Sequence, residues 1–289
     1  MKSGLLVLLA GIILSATFFS SCQQEVQPPD QQNLQDSVIS RIMAIDTTLS
    51  SGSDTSHTID FTYDASKRLS KFIDTEYNLG VSGPGRLDYI AEKVYGYSGA
   101  TTLPATIIAT VTDAATSAVD VNKNFYTYTN GYISVDSFSQ SFSYRVLVYN
   151  KIGDNRYKVT MRVDNGGGGQ IIDTGYVSVT RQNGNMVKEV DSMFLFGGPW
   201  VVTSVTNTYD SKPNIFKSFS LPIVAPYFGI YPGYVGYTDF GNPSENNLRL
   251  QVNDLGTTTE SYNYEYGPTG LPKISRSGSL KIYYYYKVL

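Results

Sequence analysis

Two residue types occur once each in this chain of 289 residues: cysteine, as Cys22, and histidine, as His57. A single thiol builds neither a disulfide nor a cysteine metal site within the chain, and a single imidazole builds no histidine metal site. A Ser-His-Asp triad would have to use His57. That residue lies at the edge of a Ser/Thr-rich loop and no G-x-S-x-G elbow exists, so an exposed loop histidine is expected. Gly166-Gly167-Gly168-Gly169 runs into Gln170-Ile171-Ile172-Asp173, not into the Lys-Ser/Thr of a phosphate loop, and reads as a hairpin tip. Asp36, Asp54, Asp164, Asp239 and Asp254 are loop carboxylates without the spacing of a calcium loop. Glycoside hydrolysis would need two carboxylates at a set separation, and only distant strands could bring such a pair together. No catalytic residue, metal or cofactor is therefore expected.

The chemistry that remains belongs to aromatic rings. Tyr227, Phe228, Tyr231, Tyr234 and Tyr237 are spaced by Gly and Pro in one irregular stretch, and Trp200 follows Gly197-Gly198-Pro199. Rings held this way form a platform for sugars or for a protein partner, or a lid packed over a sheet.

Cys22 has a second reading. Met1-Lys2-Ser3-Gly4 carries a positive charge, Leu5 to Phe19 is an apolar run of signal-peptide length, and Phe19-Ser20-Ser21-Cys22 closes it. This resembles the lipobox of bacterial lipoproteins, with Phe at the position where Leu is usual. The resemblance implies that residues 1–21 are removed, that the Cys22 thiol takes a diacylglyceryl group, and that the freed amine is acylated. Several acyl chains anchor firmly where one does not. Residues 22–35 are polar, contain Pro28 and Pro29, and read as a lipidated flexible tether. No Asp follows Cys22 directly, so the bacterial outer membrane is the expected address. The sequence leaves open whether the domain faces the periplasm or the cell surface.

The formal net charge is −3. Loss of Lys2 leaves 21 Lys+Arg against 25 Asp+Glu. The acids are spread out and no polybasic segment exists, which argues against nucleic acid and against anionic lipid. Charged residues make up only 16% of the chain, and 24 tyrosines stand out. Tyrosine suits a strand, where its ring covers the sheet and its hydroxyl stays wet.

The elements that must carry these residues are strands. Val38 to Ile45 is a plausible first strand, and Thr58 to Tyr63 alternates with period 2, placing Ile59, Phe61 and Tyr63 on one face. Asn130-Gly131 and Asn183-Gly184 suit hairpin turns with positive φ. Turn signals recur about every 10–12 residues, the all-β signature. Pro213 to Phe219 is a candidate for a short helical turn. Leu221 to Asn247, with Pro222, Pro226, Pro232 and Pro243, reads as an excursion from the sheet.

Phe61 to Phe72, containing Tyr63-Asp64-Ala65-Ser66-Lys67-Arg68-Leu69, resembles the Y-D-x-x-G-R-L unit of Rhs/YD repeats, with Lys67 in place of Gly. Tyr264 to Ile274 fits the same outline. Tyr209-Asp210-Ser211-Lys212-Pro213-Asn214-Ile215-Phe216, then Glu245-Asn246-Asn247, then Tyr264 to Ile274 follow in an order that resembles uncharacterised β-rich lipoproteins of Bacteroidetes-like bacteria. That resemblance implies a fold type and an address but no activity.

The expectation is one all-β domain over residues 36–289. It is an antiparallel meander of hairpins with little helix, a strongly twisted sheet or open half-barrel. It is read as a non-catalytic binding or interaction domain, held to the membrane by lipid, with a glycan or protein as possible partner. The alternatives are a structural envelope component without a small ligand, and a carboxylate-dependent glycan hydrolase.

Overall fold

The computed structural model describes residues 37–48, 54–78, 86–130, 132–140, 143–164, 170–194, 200–217 and 244–289. These residues form 17 strands and, among them, no helix. The first six are β1 (Ser37–Asp46), β2 (Asp54–Tyr63), β3 (Leu69–Asn78), β4 (Arg86–Tyr97), β5 (Pro104–Asp113) and β6 (Val119–Thr129). Then come β7 (Tyr132–Gln140), β8 (Ser143–Gly153), β9 (Arg156–Asp164), β10 (Gln170–Gln182), β11 (Asn185–Phe194) and β12 (Trp200–Pro213). The last are β13 (Asn246–Asn253), β14 (Thr258–Ser261), β15 (Asn263–Tyr266), β16 (Pro272–Ser277) and β17 (Leu280–Val288).

The expected meander is present and carries right round. Each strand from β1 to β13 pairs antiparallel with the next. β15 pairs with β16, β16 with β17, and β17 returns to β1. β14 and β15 are two pieces of one strand broken at Tyr262: the first pairs with β13, the second with β16. The Tyr262 N–H still donates to the Arg249 carbonyl at 2.8 Å. Seventeen strands less one shared place give sixteen positions round a barrel-like sheet. Because that number is even and neighbours alternate in direction, Ser37 and Val288 sit side by side at one end, hereafter the terminus end.

Side chains alternate between the two faces. On the inner face, Ile39, Ile42, Ile59, Phe61, Leu69, Phe72 and Tyr284 form one buried cluster, with Phe216 packed against it. Leu147, Tyr149, Val159, Met161, Val177, Val179 and Met186 form a second. A barrel of this strand number can hold an open aqueous channel. Here Val159, Val177 and Met186 are fully buried, so the interior is filled where they lie. The intervening outward positions carry charge, including the cross-strand pairs Arg41–Asp60, Lys71–Glu92 and Glu265–Arg276. A small third cluster, Ile45, Ile274 and Tyr283, is buried on the opposite face of β1, β16 and β17.

One device repeats at the terminus end. A tyrosine near the end of an incoming strand donates its hydroxyl to a carbonyl near the start of the strand before it. Tyr63 bonds Ile39, Tyr97 bonds Leu69, Tyr128 bonds Pro104, Tyr209 bonds Met186 and Tyr286 bonds Pro272, at 2.6 to 2.8 Å. Each peg closes a hairpin at its mouth. The first hairpin also explains the Tyr-Asp-…-Arg-Leu spacing. Asp64 accepts from the backbone of Ser66 and Arg68 and from the Arg68 guanidinium. Those donors hold its carboxyl below the usual range, the Arg68 backbone bond first. Lys67 takes φ +61, the conformation that suits Gly in the repeat pattern. Arg68 reaches on to the Gly99 and Thr101 carbonyls of the neighbouring turn.

Asn183 (φ +49) and Gly184 (φ +78) make the expected turn with both central residues left-handed. A Cβ on Gly184 would stand 2.2 Å from Glu245 Cγ. Gly184→Ala combines that clash with an unfavourable φ and should cost about 1–3 kcal/mol. A fall of several degrees in Tm by calorimetry would match this, and an unchanged Tm would contradict the turn geometry. The expected helical turn after Pro213 is instead a tight turn: Asn214 Oδ1 accepts from the Phe216 N–H, and the Asn214 carbonyl accepts from Lys217. Asn246 and Asn247 belong to β13, not to the excursion.

Candidate functional site

The three segments that carry the lipoprotein-like pattern are far apart in sequence and meet at one corner of the terminus end. Asn246 Nδ2 donates to the Lys212 carbonyl at 3.0 Å, and Asn185 Nδ2 donates to Asn246 Oδ1 at 2.8 Å. Asn247 Nδ2 donates to the Tyr266 hydroxyl at 3.3 Å, which in turn donates to Asp210. Asn214 Nδ2 donates to the Ser244 carbonyl, and Ser244 Oγ donates to the Tyr209 hydroxyl at 2.9 Å. Lys217 bridges Glu245 at 2.5 Å. The amides are therefore committed to holding the chain as it leaves β12 and enters β13. That explains why this corner is rich in Asn: buried backbone groups beside irregular chain need side-chain partners.

Behind the corner lies an interior cavity of about 150 Å³. Ile42, Ile59, Ile282 and Tyr284 wall one side, Phe216 and Leu248 another. Tyr262 and Tyr264 line it as neighbours of a three-ring ladder. Tyr262 and Tyr264 stack with centroids 6.1 Å apart, and Tyr264 and Tyr266 stand 5.9 Å apart. Burial pushes the Tyr264 hydroxyl well above its ordinary value. The polar groups in the wall include Glu260 and His57.

His57 corrects the sequence reading. It is not in a loop but on the inner face of β2, 8% exposed. Its Nδ1 lies 3.6 Å from Asp74 and its Nε2 3.9 Å from Glu76. The signal was available in the alternation Ser-His-Thr-Ile-Asp-Phe, which puts His57 in phase with Ile59 and Phe61. The Ser/Thr composition before it masked that phase.

Two carboxylates do adjoin inside the barrel, but elsewhere. Glu189 is 0% exposed and Asp191 6%, side by side on the inner face of β11. Burial pushes the Asp191 carboxyl up to about 7, partly offset by its hydrogen bond with Glu189. Asp136 is raised by burial, offset by Asn124 and Arg145. Both Glu189 and Asp191 belong to the filled half of the interior. Neither lines the cavity, whose described wall holds one carboxylate, Glu260.

Trp200 stands apart from the cavity, on the outer face at the far end, 42% exposed and 6.0 Å from Tyr176. Tyr227, Phe228, Tyr231, Tyr234 and Tyr237 lie outside the described residues, as do Cys22 and Gly166 to Gly169.

No family model matches the chain, and no curated protein matches it in sequence. Among solved structures, a porin-like protein from Bacteroides uniformis ATCC 8492 is 13% identical, over 86% of this chain and 98% of that one, with a TM-score of 0.49. A porin-like protein from Bacteroides vulgatus ATCC 8482 is 11% identical, over 88% and 100%, with a TM-score of 0.40.

Proposed function

We propose that this chain is a lipid-anchored envelope protein whose barrel stands in water and serves as a non-catalytic binding module. The carrying observation is the charge on the outer face. Arg41 and Asp60 form a two-bond pair at 2.6 and 2.9 Å in mid-strand, both about half exposed, and Lys71–Glu92 and Glu265–Arg276 repeat the arrangement. In a barrel crossing a bilayer these side chains would face lipid, at about 2–4 kcal/mol for each Arg or Lys near the midplane. In water they cost nothing. The link to the membrane then falls to the lipid on Cys22. Cys22→Ala should move the protein from the detergent phase to the aqueous phase in a partitioning assay; retention in detergent would refute the anchor.

The ligand reading rests on the cavity. Its walls are apolar and aromatic, its amides are spent on the corner, and Glu260 and His57 supply polar points. A few polar groups in an apolar hollow is the usual form of a small-molecule site. That composition favours a compact, ring-bearing, largely apolar group with one hydrogen-bond donor over a polyhydroxylated sugar. Saturation-transfer NMR with benzylamine, phenol and glucose tests it. Benzylamine should bind and glucose should not. Ala44→Leu places a larger side chain into the cavity and should abolish binding while leaving the β circular dichroism intact. Binding that survives this filling would remove the cavity as the site.

Hydrolysis is the weaker reading, because the adjoining carboxylates Glu189 and Asp191 are not among the residues that line this cavity.

A further inference from the structure

We infer that the terminus end of the barrel docks on an anionic membrane surface. The bases that do this are scattered in sequence, which is why no polybasic run betrays them; the meander gathers them. The β2–β3 turn carries exposed Lys67. The β8–β9 hairpin carries Lys151, Arg156 and Lys158, all exposed. The β10–β11 hairpin adds Arg181, and β17 ends on exposed Lys287. Of the described acids at this end, Asp64 pairs with Arg68, Glu245 with Lys217 and Glu265 with Arg276, Asp210 accepts from the Tyr266 hydroxyl, and Asp154 is exposed. The far end has the opposite balance. Asp46, Asp54, Asp88, Asp113, Asp120, Asp164 and Asp254 lie there, against Arg86, Arg145, Arg162, Arg276 and Lys281. A chain of net charge −3 is thus polarised along the barrel axis.

The tether selects the occupant. β1 begins at the basic end, and residues 23 to 36 separate it from Cys22. Read as a flexible tether, those residues have a root-mean-square span of about 20 Å, against roughly 33 Å for a ten-residue strand. A lipid on Cys22 therefore holds the basic end, not the acidic one, next to the headgroups. Each Lys or Arg brought within a Debye length of an anionic surface adds to the attraction. Docking stands the strands away from the membrane with the acidic end outermost. This orientation builds on the proposed anchor, but the charge asymmetry does not depend on it, and the two are tested separately.

The test uses residues 22–289 carrying Cys22→Ala, sedimented with vesicles of phosphatidylcholine alone or mixed with phosphatidylglycerol. At roughly 0.01 M salt the mixed vesicles should bind at least about tenfold more strongly. The preference should vanish near 1 M salt, where the Debye length falls to about 3 Å. Lys67→Glu, Lys151→Glu and Lys158→Glu together should abolish it, with the circular dichroism unchanged, whereas Arg162→Glu should leave it. Equal binding to both vesicle types, or a preference that survives the triple reversal, overturns the docking surface. Detergent partitioning of the chain with Cys22 intact reports the lipid alone, so a chain that partitions but shows no vesicle preference keeps its anchor and loses its docking face.

Discussion

Raising the pH past 10 should unfold this barrel cooperatively, with its enclosed tyrosines ionising only as it unfolds. The chain holds 24 tyrosines, and many are inside. Burial pushes the Tyr97 and Tyr284 hydroxyls up to about 12, and those of Tyr63, Tyr89, Tyr128, Tyr149, Tyr264 and Tyr286 higher still. The sign follows from linkage. A phenol whose folded pKa exceeds its unfolded value near 10 contributes full stability below pH 10, and that contribution is lost as pH rises toward the folded pKa. Tyr149, Tyr264, Tyr284 and Tyr286 are the most enclosed. By about pH 11 each costs roughly 1.4 kcal/mol, together about 6 kcal/mol, comparable with the whole stability of a typical domain. Tyr63, Tyr97 and Tyr128 are partly solvated and add less each. They matter for another reason: they are the pegs, and a phenolate cannot donate to the carbonyls of Ile39, Leu69 and Pro104.

The measurement is tyrosinate absorbance followed beside β circular dichroism. Absorbance should rise first without loss of the sheet, and the enclosed tyrosines should then ionise in one step that coincides with that loss. Tyr149→Phe should shift that step upward, because it deletes a buried acid and keeps the ring. A single smooth titration of all tyrosines with the sheet intact would contradict the burial of these rings inside the barrel.

The tyrosines also mark what was legible in the sequence. Composition and turn spacing disclose an all-β meander, because Asn-Gly pairs such as Asn130-Gly131 and Asn183-Gly184 are local signals that need no tertiary partner. A strand with an apolar inner face, such as Thr58 to Tyr63, is legible for the same reason. β4, β5 and most of β6 are not. Their inner positions include Lys93, Ala109, Asp120, Asn122 and Asn124, so the apolar alternation that identifies a strand is blurred where a barrel turns polar groups inward. Closure was illegible altogether. Nothing local says that Ser37 to Asp46 pairs with Leu280 to Val288, and a half-barrel and a ring have the same hairpin grammar. The cavity shares that origin. Ile42, His57, Phe216, Tyr264 and Tyr284 become neighbours only through the β1–β17 seam and the corner of Asn214 and Asn246.

The second large effect concerns Asp191, and it runs against the habit of expecting acid to loosen a fold. With its folded pKa near 7 and an unfolded value near 4, this carboxyl binds a proton more tightly when folded. Stability on its account is therefore greatest below about pH 4 and declines as pH rises through 7, by up to about 4 kcal/mol before it levels off. Asp136 moves in the same direction. The opposing carboxyls, Asp46 and Asp64, are lowered by hydrogen bonds and lose their contribution only as pH falls below about 4. Between about pH 5 and 8 the raised groups decide the slope, and the urea midpoint should be higher at pH 5. Because Glu189 and Asp191 are hydrogen-bonded, the titration belongs to the pair. Asp191→Asn keeps an oxygen to accept from Glu189 and removes the titrating group. It should flatten the profile and raise stability at pH 8 by about 2–4 kcal/mol. A wild-type chain more stable at pH 8 than at pH 5, or a variant that keeps the slope, would mean that the two carboxyls are not enclosed together on the inner face of β11.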